Sequence, residues 1–439
     1  VQSVGPTPAG TRVTQRRSSG WGHVPAENES RRTQLKRIGP ILLSVLLVLS
    51  IVATGCSTDS GDDGGTTSDA DSGSEEPIII GAALCQTGIQ APLDEPALRG
   101  AQLAVDVLNE NGGILGRPVE LLNMDGKSDP VTVGNVAKQM VDRGAVAIIA
   151  PSDFDFGGPA SREAQNAGLV GISPCASSPL YGSAALGDKQ FTMSMWNTTM
   201  GAAVAEYAWD QGFRSVYVIT DDFIDYTKSL SRYFIIRFEE LGGDVIFEDT
   251  YTQGQADVSA QLARIKALDE QPDFIYISSY MPDLALMIRT LRESGINVPV
   301  YGGDAYDDPG LFEALGAEYG SDIVFDTHGF LSEEGHPDYP EFAAAYEDKF
   351  GDAPDAVWIM PGYDVVMLLA ETMEIAGSTD GAEMAKVMEE TTYDLLTGQL
   401  EWSDAASGHE PNKAAGMVEL VDGEPQFIGW VIPEKIPAP

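Results

Sequence analysis

Few side chains in this sequence are spaced for bond-making chemistry. The four histidines are His23, His328, His336 and His409. None stands in H-E-x-x-H or Cys/His ligand spacing. His328 and His336 bracket an acidic loop and read as exposed loop residues. Asp304, Asp307 and Asp308 could hold a cation, yet the run lacks the spaced oxygens and closing Glu of a calcium loop. No metal and no cofactor are expected. A G-x-S-x-G elbow, a G-x-x-x-x-G-K-S/T loop and a G-x-G-x-x-G after a strand are all absent. The Ser, Cys and Asp residues near strand ends have no matched general base. Catalysis is not indicated, and the chain reads as one that binds.

The elements that must position such residues begin with residues 78–120. An Ile-rich run of strand length, 78–84, leads into a loop rich in turn formers, 86–96. Leu98, Ala101, Val105 and Leu108 then recur at helical spacing. Asn111, Gly112 and Gly113 stop that helix, because glycine takes the left-handed cap without steric cost. A second strand follows at 119–124. Such strand–helix–strand units build parallel sheets that bind ligands beyond the carboxyl ends of the strands. Further strands are expected at 145–150, 169–172 and 191–195, with helices at 131–143 and 158–167. A second series starts at Gly201, with strands at 215–220, 244–250, 274–278, 300–302 and 322–326 between amphipathic helices. The fold class is therefore α/β with buried parallel sheets, and two such series suggest two similar lobes. From 339 to 391 the pattern is mainly helical. The tail reads as antiparallel strands at 398–402, 416–421 and 425–431, with Asp422-Gly423 as a hairpin turn.

The first 37 residues carry seven Arg and Lys, and residues 41–53 are an unbroken run of apolar or small residues. A basic stretch, a short apolar core and small residues before a cleavage point make an export signal. The apolar run is shorter than the ~20 residues of a spanning helix. The segment before Arg31 is long for a signal, which leaves open a translation start further in. Residues 57–76 are Ser, Gly, Thr, Asp and Glu without a large apolar side chain, so they read as a disordered acidic linker.

The charge balance is 67 acids against 26 bases, a net −41. That excludes nucleic acid as a partner, since its binding needs Lys/Arg stripes. It favours solubility and mildly attracts cationic solutes. The chain beyond Pro77 is too long for one ordinary core and suits two lobes. Whether Cys85 and Cys175 pair in an oxidising compartment is left open by the sequence.

Two resemblances add to this reading. Ala53-Thr54-Gly55-Cys56 resembles the lipobox of bacterial lipoproteins, which implies a lipid on Cys56 and an anchor in the cell membrane. GAQLAVDVLNENGGILGRPVEL, then DGKSDP, VAKQMVDRGAVAIIAP, VGISPCASSP and VYGGDA, resembles the periplasmic leucine/isoleucine/valine-binding proteins. These are type I solute-binding components of ATP-driven importers. The resemblance implies two Rossmann-like lobes joined by three hinge crossings. It gives residues 1–55 as signal and upstream segment and 56–76 as lipidated cysteine and linker. Lobe one takes 77–197 and 329–397, and lobe two takes 198–328 and 398–433. By resemblance Ser177 offers a hydroxyl and Cys175 a backbone contact to a ligand α-carboxylate, at a helix N-terminus that would favour it. Asp304 meets an α-ammonium, and Tyr226 and Tyr280 match family tyrosines. Leu93 lies near a family aromatic. Phe154 falls about where the family has a carboxylate-binding serine, and Asp155 follows it. An acid there repels a carboxylate, so a more cationic ligand, or an amide, fits as well. Phe154, Phe156, Phe223, Tyr226, Tyr280 and Tyr306 fall near strand ends and could box an apolar or cationic ligand. Trp196 and Asn197 read as hinge packing at the first crossing.

The expectation is a lipid-anchored, extracytoplasmic protein that captures an amino acid or a related amine or amide. Its partners would be that solute, a membrane permease and the membrane itself. A sensing module of the same fold is the alternative, and an amidase-like hydrolase is a weak third.

Overall fold

The computed structural model describes residues 76–254 and 257–439. His23, the expected export segment, Cys56 and all of the acidic linker before Glu76 lie outside the described residues.

The first sheet has five parallel strands in the order β2-β1-β3-β4-β5. They are β1 (Ile78–Ala82), β2 (Val119–Asn123), β3 (Ala147–Ile149), β4 (Val170–Ser173) and β5 (Gln190–Thr192). The second series supplies β6 (Ser215–Asp221), β7 (Asp244–Tyr251), β8 (Phe274–Ser278), β9 (Val300–Gly302) and β10 (Ile323–Thr327). Later come β11 (Tyr393–Leu395), β12 (Gly398–Trp402), β13 (Pro411–Asn412), β14 (Ala415–Val421) and β15 (Glu424–Val431). The second sheet runs β15-β14-β10-β9-β8-β6-β7, parallel except for the antiparallel hairpin β14–β15 at its edge. Asp422 and Gly423 both have positive φ, 55° and 84°, as the two-residue hairpin turn requires.

In each sheet the chain steps outward from one strand and then back past it. The order reverses between β1 and β3 in the first sheet and between β6 and β8 in the second. Loops leaving the two strands of such a pair diverge and open a crevice at their carboxyl ends. Both faces of each sheet are covered, which is why the strands are continuous apolar runs. Ile78, Ile80, Ile149 and Ile172 pack with Leu98, Val105, Val365 and Leu369 on one side of the first sheet. Ile148 packs with Val133, Met140 and Ala160 on the other. Each such side chain contributes roughly 1.5–3 kcal/mol on burial.

The helix Ala91–Glu110 crosses the helix Ile359–Ala376 at glycines. A Cβ on Gly100 would lie 2.0 Å from the Ile359 carbonyl oxygen, and one on Gly362 2.0 Å from that of Ala97. Close backbone approach, rather than turn geometry, fixes both positions as glycine.

Three local expectations differ from the structure. The first loop ends sooner than expected, because the helix begins at Ala91, with a proline in its first turn, where the missing N–H costs nothing, and Pro96 inside. The helix expected at 158–167 begins at Phe154 and runs through Pro159 to Asn166. Gly398–Trp402 does not join the second sheet. It forms a small antiparallel sheet with β11 and β13, and Leu400 and Trp402 are buried in the first sheet's core. The chain rejoins the second sheet at Ala415, so the last crossing lies at about residues 413–414 rather than at 397–398.

Candidate functional site

A pocket lies where the carboxyl ends of both sheets meet. Its lining comes from nine residues. Ser152 and Asp153 follow β3. Cys175 and Ser177 follow β4. Tyr226 follows β6, Tyr280 follows β8, and Asp304 and Ala305 follow β9. Leu93 comes from the first turn of the helix Ala91–Glu110.

Asp94, fully buried beside Leu93, fixes the first wall. It accepts hydrogen bonds from the Cys85 N–H at 2.8 Å, the Ser152 N–H at 3.0 Å and the Ser152 hydroxyl at 2.5 Å. One carboxylate thus clamps the diverging loops after β1 and β3, and so aims Ser152 and Asp153. Burial pushes its pKa up to about 6. Asp153 precedes the helix Phe154–Asn166 and accepts from Gln90 Nε2 at 2.6 Å. Burial raises its pKa to about 8, aided by the negative charges of Asp304, Asp155 and Asp94.

The second wall is a chain of hydrogen bonds. Tyr226 Oη donates to Asp304 Oδ1 at 2.6 Å and accepts from the Ala305 N–H at 3.3 Å. His328 Nε2 lies 2.9 Å from Asp304 Oδ2. Burial pulls the His328 pKa down, partly offset by Asp304. The imidazole is therefore neutral and its Nε2–H donates to Asp304, while Nδ1 has no partner. The Tyr280 hydroxyl is buried without a partner and faces the cavity.

Behind the Cys175 side of the cavity lies Lys413, 4 % exposed, at the last crossing. Its Nζ donates to Thr397 Oγ1 at 2.8 Å and to the Met193 carbonyl at 3.2 Å. Burial lowers its pKa to about 8, opposed by the charge of Asp364. Cys85 and Cys175 are both free and buried, and burial pushes each thiol up. Neither is a thiolate nucleophile at neutral pH. No hydrogen bond joins the Ser177 hydroxyl to the lining acids, since Asp304 is held by Tyr226 and His328 and Asp153 by Gln90. The arrangement holds and orients; it is not built to attack.

Of the residues singled out by sequence, Leu93, Cys175, Ser177, Tyr226, Tyr280 and Asp304 surround this one cavity. Phe154 and Asp155 do not. The helix starts at Phe154, so the loop that reaches the cavity ends one residue earlier, at Asp153. The Phe154 ring lies 5.8 Å from the Arg162 guanidinium. Asp155 Oδ2 accepts from the Asp225 N–H at 2.9 Å, at the start of the helix Asp225–Glu240. Ser177 is not at a helix N-terminus: the loop after β4 is irregular, and the Cys175 N–H already leans on Ser173 Oγ at 3.3 Å. Phe156 and Tyr306 are core residues and Phe223 is exposed, so Tyr226 and Tyr280 alone of the six aromatics line the cavity. His328, expected on an exposed loop, is fully buried. Asp307 accepts from Thr327 Oγ1 and Asp308 caps a helix at Gly310, so the acidic run diverges. Among the described residues no group of three or more His, Cys, Asp or Glu could hold a metal ion.

Asn197 ties the loop after β4 to the helix Asp225–Glu240. The Asn197 N–H donates to the Ser177 carbonyl at 2.7 Å, and Asn197 Nδ2 donates to the Tyr226 carbonyl at 3.0 Å and Ser229 Oγ at 2.7 Å.

The sequence profile for the periplasmic binding proteins matches residues 77–425. The chain belongs to that family. Among its relatives is the Leu/Ile/Val-binding protein homolog 1 of Brucella melitensis, 25% identical over 336 residues, 74% of this chain and 86% of that protein. The structure is similar to that of the branched-chain amino acid transporter substrate binding protein LivJ from Streptococcus pneumoniae, in complex with isoleucine. The TM-score is 0.74 at 25% identity, covering 82% of this chain and all of the other. A leucine binding protein, LivK, from Thermotoga maritima gives a TM-score of 0.73 at 28% identity, with 81% and 99% covered. The resemblance to leucine/isoleucine/valine-binding proteins therefore stands, and with it the two-sheet type I fold. Family members and their solved neighbours are substrate-binding proteins rather than enzymes, so this periplasmic binding protein binds a solute and does not turn it over. The family works outside the cytoplasm.

Proposed function

We propose that this protein captures an amino acid, or a related amine or amide, between its two sheets and presents it to the permease of an ATP-driven importer. One lobe is built on the five-stranded sheet from residues 77–195 and 329–412, the other on the seven-stranded sheet from 196–328 and 415–433. Asp304 takes the ligand's ammonium group, while Ser177 and Ser152 face its other end. Tyr226 orients Asp304, and Leu93 shapes the apolar part of the pocket. The observation that carries this reading is the cavity itself: residues from five strand ends, drawn from both sheets, converge on one enclosed space. The relatives' names, as branched-chain amino acid binders, support the solute class. Cys56, in its lipobox-like context, carries the lipid that holds the domain at the outer face of the cell membrane, with residues 57–76 as tether.

A thermal-shift panel of amino acids, amines and amides tests the reading. A true ligand at ~100 times its Kd adds about 2.7 kcal/mol of stability and raises the melting temperature. A flat response across the whole panel would remove the amino acid and amine reading. Cys56→Ala should release the protein from membranes in the native host; unchanged membrane association would rule out the lipid anchor.

A further inference from the structure

We propose that the ligand carries two cationic groups, one held by Asp304 and the other by Asp153 across the cavity. A basic amino acid or a diamine has this chemistry. The inference rests on the cavity being the solute site and narrows what fits it. Asp153 and Asp304 approach from opposite walls, 7 % and 4 % exposed, and both line the space. Neither pairs with a Lys or Arg among the described residues. The His328 imidazole beside Asp304 is neutral, as its burial dictates. Lys413 donates instead to Thr397 and Met193, and the acid whose charge acts on it is Asp364. Gln90 reaches Oδ2 of Asp153 alone, leaving Oδ1 without a donor among the described residues.

A second, independent feature also points to a polar ligand. The Tyr280 hydroxyl, on a side chain 5 % exposed, faces the cavity without a partner, and so lacks an acceptor or donor that a bound solute would supply. An amino acid with an apolar side chain brings one ammonium for Asp304 and no cation for Asp153. Its carboxylate would instead sit beside Ser152, next to Asp153, where it would repel the ionised form of Asp153 and hold that group protonated. A second ammonium removes that conflict.

The groups facing Asp153 are acids and a phenol: Asp304, Asp155, Asp94 and Tyr280. Together with burial they keep a proton on Asp153 near neutral pH in the empty cavity. A cation arriving there favours the ionised carboxylate and displaces that proton to solvent. Binding should release a proton, and affinity should rise as pH climbs toward 8.

Calorimetric titration of the full chain at neutral pH decides this, with lysine, ornithine, putrescine and leucine as probes. In two buffers of different ionisation enthalpy, the basic probes should release about one proton. At least one should bind ~10-fold or more tighter than leucine, a gap of about 1.4 kcal/mol. Putrescine separates a diamine site from one that also needs a carboxylate. Asp153→Asn should cost the basic probe tenfold or more and bring its ratio to leucine near unity. If Asp153→Asn fails to fold, the proton count on the unaltered protein is decisive. Leucine binding as tightly as every basic probe, with no proton released, overturns the inference but leaves the solute-binding reading intact. Binding of none of the four overturns the inference, and the panel described above then tells whether the wider reading falls with it.

Discussion

Replacing Asp304 by asparagine keeps the shape of the second wall and removes its charge. In the unaltered protein the carboxylate accepts from Tyr226 Oη at 2.6 Å and from His328 Nε2 at 2.9 Å. A ligand ammonium would add a charge-assisted hydrogen bond in a site that is 4 % exposed. Hydrogen bonds to charged groups contribute about 1.5–3 kcal/mol net. At 1.4 kcal/mol per tenfold, Asp304→Asn should weaken binding by roughly 10- to 150-fold. Folding should suffer little. The amide oxygen can still accept from one donor, so about one hydrogen bond, ~1 kcal/mol, is lost. Against that, Asp304 no longer pushes up the carboxyl of Asp153 and that of Asp326, which is buried with both oxygens unbonded. The assay is calorimetric Kd for the best ligand, with thermal melts as the folding control. A Kd changed by less than about twofold, under ~0.4 kcal/mol, with an unaltered melt, would refute the role given to Asp304.

Other outcomes follow from the same geometry. Asp94→Ala strands three donors at the switch point of the first sheet. It should lower unfolding free energy by at least about 3 kcal/mol in urea titration, at a cost of ~1–3 kcal/mol for each of the three groups left unsatisfied. Gly100→Val places a branched side chain where a Cβ alone would meet a carbonyl oxygen at 2.0 Å. It should cost at least ~1–3 kcal/mol or abolish soluble expression, whereas the same change at Gly112, whose Cβ meets nothing within 4 Å, should cost only backbone strain at its φ of 101°. Ligand-free stability should fall as pH rises from about 5 to about 8. Asp94, Asp307 and Asp153 have folded pKa values raised to about 6, 7 and 8, so the folded state binds more protons than the unfolded chain across that window. Above about 8 the lowered pKa of Lys413 works the other way, because there the unfolded chain holds the extra proton. Melting temperatures at stepped pH check the sign, and a rise from 5 to 8 would contradict it. Cys85 and Cys175 should resist thiol reagents in the native protein and react on unfolding, read by peptide mapping; fast native labelling would show that the buried loops open.

The strands were legible because each is a continuous apolar run between turn formers, as in Ile78–Ala82 and Phe274–Ser278. The hairpin at Asp422-Gly423 was legible because few other pairs accept two positive φ values in succession. The cavity residues were reached through the family resemblance, which carried Ser177, Cys175, Tyr226, Tyr280, Asp304 and Leu93 to their positions. It slipped at Phe154 and Asp155, where a helix begins earlier than the pattern suggests and the lining ends at Asp153. His328 looked like a loop residue because it and His336 bracket an acidic stretch, Glu333-Glu334. Its burial comes from Trp358 and Asp304, which no local pattern brings beside it. Asp94 and Lys413 were missed for the same reason: an acid in a first helical turn and a lysine between short strands look solvated until distant segments close over them. The last crossing was misplaced because Leu400 and Trp402 are apolar enough for either core.

The central claim is that both sheets together hold one small solute and leave it unchanged. Its most direct test is to saturate the purified protein with its best ligand, remove the excess, denature the complex and quantify what is released by mass spectrometry. The account predicts one equivalent of intact ligand per chain, and a large loss of that equivalent from Asp304→Asn. A converted product, or the same equivalent retained by the variant, would contradict it.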